Sequence, residues 1–255
     1  MLNRVSATAK METVLLDSTM HVLHRDYETR SQAILKTVGT YKYATNPSTE
    51  VLCCVYAVDD EPVQLWTPGD PVPAEFIEAA TDSTWVVAAH NDAFETAIEQ
   101  YILAPRYSWP AIPLERHVCT QARCLTNGLP ARLSAAADAL ELSHRKDVAG
   151  ERLMHQTSKP RRPHKDEDPA GIYWFEDQER LDRLYTYCKQ DVEVERELYG
   201  RLPPLSASEQ ALWELSSQIN QRGFCVDGTL AGAARKIAEA AAPEIDAEIA
   251  ELTAG

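Results

Sequence analysis

The chain has 255 residues, 44% of them hydrophobic, which is enough to build one large domain or two and too much for a disordered chain. No apolar run approaches the ~20 residues of a membrane helix, and the first twenty residues lack the apolar centre of a signal peptide, so the chain reads as soluble and cytoplasmic, with no membrane partner. The net charge of −14 would repel a phosphate backbone, but it is segregated: Glu115 to Lys165 holds ten Lys/Arg against five Asp/Glu, in a stretch that includes SHRKD and most of the Pro-rich SKPRRPHKDEDP.

In chain order, HVLHRDYE reads as a strand, EVLCCVYAVDD as a second rich in β-branched and aromatic residues, and PVQLWTP as a third, with VDDEP as a hairpin turn. A short helix near PAEFIEAA leads to STWVVAAH, whose continuous apolar character suits a strand buried on both faces. Helices follow: NDAFETAIEQYIL, with Phe94, Ala97, Ile98, Tyr101 and Ile102 at helical spacing, then LSAAADALEL, DVAGERLMHQ and the long DQERLDRLYTYCKQDVEVERELYGRL. An antiparallel meander followed by a buried strand and several helices implies an α/β fold, a mixed sheet covered by helices. The six cysteines show no CxxC repeat and read as reduced thiols.

Three constellations carry chemistry. In a strand, alternate side chains share a face, so DYE projects Asp26 and Glu28 together while Tyr27 points away. Such a pair is either a solvent-facing strand end or a site where a divalent cation relieves the repulsion. AHNDAFE then marks a passage from strand to helix, where α/β proteins concentrate functional groups, and Glu95 in the first helical turns can face Asp26 and Glu28. In YTYCKQDVEVE, Tyr187 and Asp191 are four residues apart and share a helix face.

The ordered set resembles the DEDD superfamily of 3′-to-5′ exonucleases over about Val22 to Leu202, in particular the proofreading domains of bacterial and phage family A DNA polymerases. DYET resembles the first motif, HNDAFE the second and YCKQD the third, and Tyr187 four residues before Asp191 places the chain in the tyrosine branch. The resemblance implies an RNase H-like mixed five-stranded sheet flanked by helices. It implies two divalent cations, Mg2+ or Mn2+, held by Asp26, Glu28, Glu95 and Asp191, with Tyr187 orienting the attacking water. It further implies a single-stranded DNA 3′ end as substrate, with Tyr27, Thr29, Asn91 and Phe94 as candidates for placing the terminal nucleotide. One residue departs from the pattern: Glu95 stands where Asp is usual, and Asp92, three residues earlier on the same helix, could substitute or assist.

The C-terminal segment begins with LPPLS, reads as a helix carrying Leu212, Leu215 and Ile219, stops at Gly223, and restarts with Asp227 as a cap. It resembles the opening of a family A polymerase domain. The expected organisation is therefore an arm over 1–20, an exonuclease domain over 21–203 and a short helical segment over 204–255. No polymerase activity is expected from this chain alone, and a polymerase domain in cis or in trans is the expected partner. An RNA-trimming exonuclease of the same branch and a non-catalytic nucleic-acid-binding module are the alternatives.

Overall fold

The computed structural model describes residues 20–145 and 147–253; almost all of the expected N-terminal arm lies outside them. The chain divides into two compact units after Glu214.

In the first unit, β1 (His21–Arg30), β2 (Glu50–Val58), β3 (Gln64–Trp66), β4 (Trp85–Ala89) and β5 (His117–Cys119) form a sheet in the order β3-β2-β1-β4-β5. β1–β2 and β2–β3 are antiparallel, while β1–β4 and β4–β5 are parallel. This is the mixed, RNase H-like sheet that the motifs imply. The meander closes where VDDEP was expected to turn. Asp59 adopts a positive φ of 46° there, and its carboxylate accepts from Val22 N–H at 2.8 Å, tying the turn to the start of β1.

The helices are α1 (Leu35–Val38), α2 (Thr40–Ala44), α3 (Ala74–Thr81), α4 (Asp92–Ile98), α5 (Ala104–Tyr107), α6 (Thr120–Thr126), α7 (Leu133–Ala139), α8 (Val148–Thr157) and α9 (Gln178–Arg201). The helix expected over NDAFETAIEQYIL forms as α4 followed without interruption by a π-helical turn, Glu99–Leu103, and α5 extends it beyond the expected end. β5, α1, α2, α5 and α6 are additions to the elements read from the sequence.

Both faces of the sheet are covered, which explains why β4 and β2 lack a polar face. On one side Leu23, Tyr27, Cys54 and Tyr56 pack with Phe76, Ile98, Ile102 and Trp109. On the other, Cys53, Val55 and Ala57 of β2 meet Cys188 and Val192 of α9. Alternation along β2 therefore feeds two cores, and the same alternation along β1 positions the site.

Helix α10 (Ala207–Arg222) carries Leu212, Leu215 and Ile219 at helical spacing and ends at Gly223, whose φ of 65° suits a left-handed helix stop. Asp227 then caps α11 (Gly228–Thr253), its Oδ1 accepting from Thr229 N–H and Leu230 N–H. Among the described residues, no helix is long and apolar enough to cross a membrane.

Candidate metal centre

β1 is the central strand, and its two faces receive opposite chemistry. His24, Asp26 and Glu28 turn toward α9. His24 Nδ1 lies 2.6 Å from Glu195 Oε2, and Asp26 Oδ2 accepts from the Cys188 thiol at 3.3 Å. Tyr187 and Asp191 arrive from α9 on this face, one turn apart, and the tyrosine hydroxyl donates to Asp191. Burial, followed by the charges of Asp191 and Glu28, pushes the Tyr187 hydroxyl well above its ordinary value. Two strand acids, a helix acid and a phenol therefore meet in one place.

The two acids of α4 divide. Glu95 is buried, its Oε2 has no hydrogen-bond partner among the described residues, and burial followed by the charge of Asp26 pushes its carboxyl well above the usual carboxylate range. Asp92 is buried as well, but it faces Arg25 and His117. It accepts from Arg25 Nη2 at 2.9 Å and lies 3.0 Å from His117 Nδ1 of β5. Burial alone would raise its pKa; His117 and Arg25 outweigh that and hold it at about 2.

Arg25 fixes this arrangement from the opposite face of β1. Fully buried, it donates through Nη2 to Asp92 and through Nε to Glu99, and Tyr27 also donates to Glu99 at 2.7 Å. Asp92 and Glu99 lie three residues before and four after Glu95, so they share its helix face. The residue next to Asp26 thus clamps the helix on both sides of Glu95.

The residues expected to place a nucleotide are scattered. Tyr27 turns into the apolar core, edge-on to Trp109 with its hydroxyl on Glu99, so its side chain is turned away from the acidic face and only its backbone is left for such a role. Thr29 is buried, with Oγ1 2.9 Å from the Tyr43 hydroxyl. Phe94 is half-buried against Tyr43, and Asn91 is exposed at the left-handed turn that leads from β4 into α4. In the basic stretch, Arg132, Arg145 and Arg161 already face Glu151, Asp138 and Glu167.

Two residues of the site escape sequence reasoning. Cys188 is hidden inside YCKQD, where only its neighbours match a motif. Gly150 of α8 lies against Tyr187: a Cβ there would sit 2.9 Å from Tyr187 Cβ and nearer still to its ring, so only glycine lets α8 and α9 approach this closely. Asp147 caps α8 and also pairs with Arg183 of α9, holding the two helices together.

Asp26, Glu28 and Cys188 offer ligand atoms that all lie within 4.8 Å of one another, and Glu95 adds a buried oxygen facing Asp26. Clustered carboxylates of this kind suit a hard divalent cation, which would remove their mutual repulsion.

A curated relative, a DNA polymerase of Bacillus phage SP02, is 36% identical over 214 residues, 82% of this chain. The chain is a homologue of a phage DNA polymerase. It spans about a third of that polymerase's length, 32%, and the relationship agrees with the resemblance to polymerase-linked DEDD exonucleases. No family model matches the chain. Among solved structures it is similar to NrnC of Brucella melitensis (TM-score 0.43, 15% identity, 82% of this chain and 90% of that one), which is also known with bound Mg2+ and bound to pGG. It is similar as well to Escherichia coli RNase D, an exoribonuclease involved in structured RNA processing (TM-score 0.44, 13% identity, 80% of this chain and 46% of that one). Likenesses this distant carry no weight for substrate or mechanism.

Proposed function

We propose that the chain is a metal-dependent 3′-to-5′ exonuclease that releases nucleoside 5′-monophosphates from single-stranded DNA ends and proofreads for a polymerase, in the cytoplasm of a bacterial or phage-infected cell. The observation that carries the reading is the meeting of Asp26 and Glu28 of β1 with Tyr187 and Asp191 of α9, in a homologue of a phage DNA polymerase.

Two divalent cations, Mg2+ or Mn2+, would supply charge neutralisation at the scissile phosphate and activation of water. Following the resemblance, Asp26, which accepts from the Cys188 thiol and raises the Glu95 carboxyl, would serve both ions, Glu28 and Asp191 would complete the one that activates water, and Glu95 would serve the other. Tyr187 donates a hydrogen bond to Asp191, which leaves a lone pair of the phenol oxygen to accept one from the attacking water. Because the hydroxyl is held well above its ordinary value, it orients water as a neutral phenol and does not act as a base. Arg25 keeps Glu95 in place from behind the strand.

A 5′-labelled single-stranded DNA oligonucleotide, incubated with Mg2+ or Mn2+ beside the Asp26→Ala variant, tests this. Stepwise shortening from the 3′ end by the wild type alone is the expected result. Shortening of an RNA oligonucleotide in preference to DNA would move the assignment to RNA trimming. No cutting of either by a folded chain would leave a binding module.

A further inference from the structure

We propose that Cys188 makes the acidic centre a site for one thiophilic divalent cation of the Zn2+ and Cd2+ class, bound by its sulfur together with Asp26 and Glu28 in competition with the hard cations of the proposed hydrolysis. The inference rests on the reading of Asp26 and Glu28 as metal ligands, and not on the chain cutting DNA.

The geometry is already close to that of a bound ion. Tetrahedral zinc with metal–sulfur and metal–oxygen bonds of ~2.3 and ~2.1 Å separates sulfur from oxygen by about 3.6 Å. Cys188 Sγ stands 3.3 Å from Asp26 Oδ2 and 3.6 Å from the Asp26 carbonyl oxygen. Ligand atoms of Glu28, Asp26 and Cys188 all fall within 4.8 Å of one another, at most about 1 Å wider than the spacing one tetrahedral ion imposes. Independently, Glu95 Oε2 is buried without a hydrogen-bond partner among the described residues and faces Asp26, which offers a fourth donor.

The donor set is mixed in softness. Carboxylates alone favour Mg2+ and Mn2+, whereas one thiolate shifts preference toward Zn2+ and Cd2+. Binding replaces the Cys188 S–H bond, now donated to Asp26, by a metal–sulfur bond; the proton passes to solvent and nothing is oxidised. The sulfur is rooted three residues before Asp191 on α9, so a thiophilic ion seated there occupies the space in which the hydrolytic cations would be held.

Cd2+ is the direct probe, because a cadmium–thiolate bond absorbs in the near ultraviolet and an oxygen-bound ion does not. The full chain carrying Cys225→Ser, which removes the exposed thiol, is titrated with Cd2+. One saturating band is expected, lost when Cys188→Ser is added and weakened roughly tenfold or more in affinity by Asp26→Asn. Absence of the band, or its survival in a folded Cys188→Ser chain, overturns the proposal. If that variant fails to fold, cadmium NMR of the parent decides: one sulfur among oxygens supports the proposal, while an all-oxygen or two-sulfur environment, the latter through Cys53, refutes it. A chain that trims DNA with Mg2+ but shows no band defeats only this inference. One that shows the band but leaves DNA intact defeats only the proposed function.

Discussion

The two faces of β1 both carry carboxylates and treat them oppositely. On one face Asp92 and Glu99 are matched to Arg25, with His117 and Tyr27 completing the network. On the other, Asp26, Glu28 and Glu95 face one another, a phenol and a thiol. Buried charge that is matched holds structure together, while buried charge that faces like charge is a cost the fold bears for what it binds. Asp92 and Glu95, three residues apart on one helix, fall on opposite sides of that line.

The largest effect expected from breaking the contrast is at Glu95. Glu95→Gln should lower nuclease rate on the order of 10³-fold, about 4 kcal/mol of transition-state stabilisation, while urea denaturation of the metal-free chain shows no loss of stability; a large loss would make Glu95 structural. Asp92→Ala should do the reverse in kind, costing ~3 kcal/mol in the same denaturation experiment because Arg25 is left buried without one of its carboxylates.

Acid sharpens the comparison. Asp92 is depressed to about 2 in the folded chain, so the stability it contributes is complete above its unfolded value near ~4 and is lost as pH falls through about 2. That contribution is about 2 kcal/mol; an Asp92→Asn chain should lack the corresponding slope between about pH 4 and 2 in acid titrations of stability. The smallest effect is expected at Gly150. Gly150→Ala forces Tyr187 to shift, and a rate reduced by roughly tenfold, about 1.4 kcal/mol, with metal affinity retained, would mark the tyrosine as a positioning group for water.

Much of this was written locally in the chain. The alternation of β1 and β2, the apolar run of β4 and the periodicity of α9 follow from neighbouring residues alone, as do the stop at Gly223 and the cap at Asp227. β5 has only three residues, too few for a period to emerge, and α1 and α2 are single turns beside Gly39. The π-helical turn has no sequence marker, yet it is the stretch that presents Glu99 to Arg25. Spacing could not separate Asp92 from Glu95 because both fit the same helix face; what separates them is Arg25 from β1 and His117 from β5. Tyr27 was legible as pointing away from the acids, but the depth of its burial against Trp109 depends on a loop more than eighty residues later.

Arg25 and Asp26 are adjacent, so one strand delivers the clamp to one side and the acid to the other with no linker between them. A slip of a single residue in the register of β1 would carry the guanidinium into the acidic centre and the carboxylate into the core. The strand is held against such a slip by β2 along nearly its whole length and by β4 over His21–His24. Insertions and deletions in this segment should therefore be far more damaging than substitutions, because length, more than identity, keeps the two chemistries on their own sides.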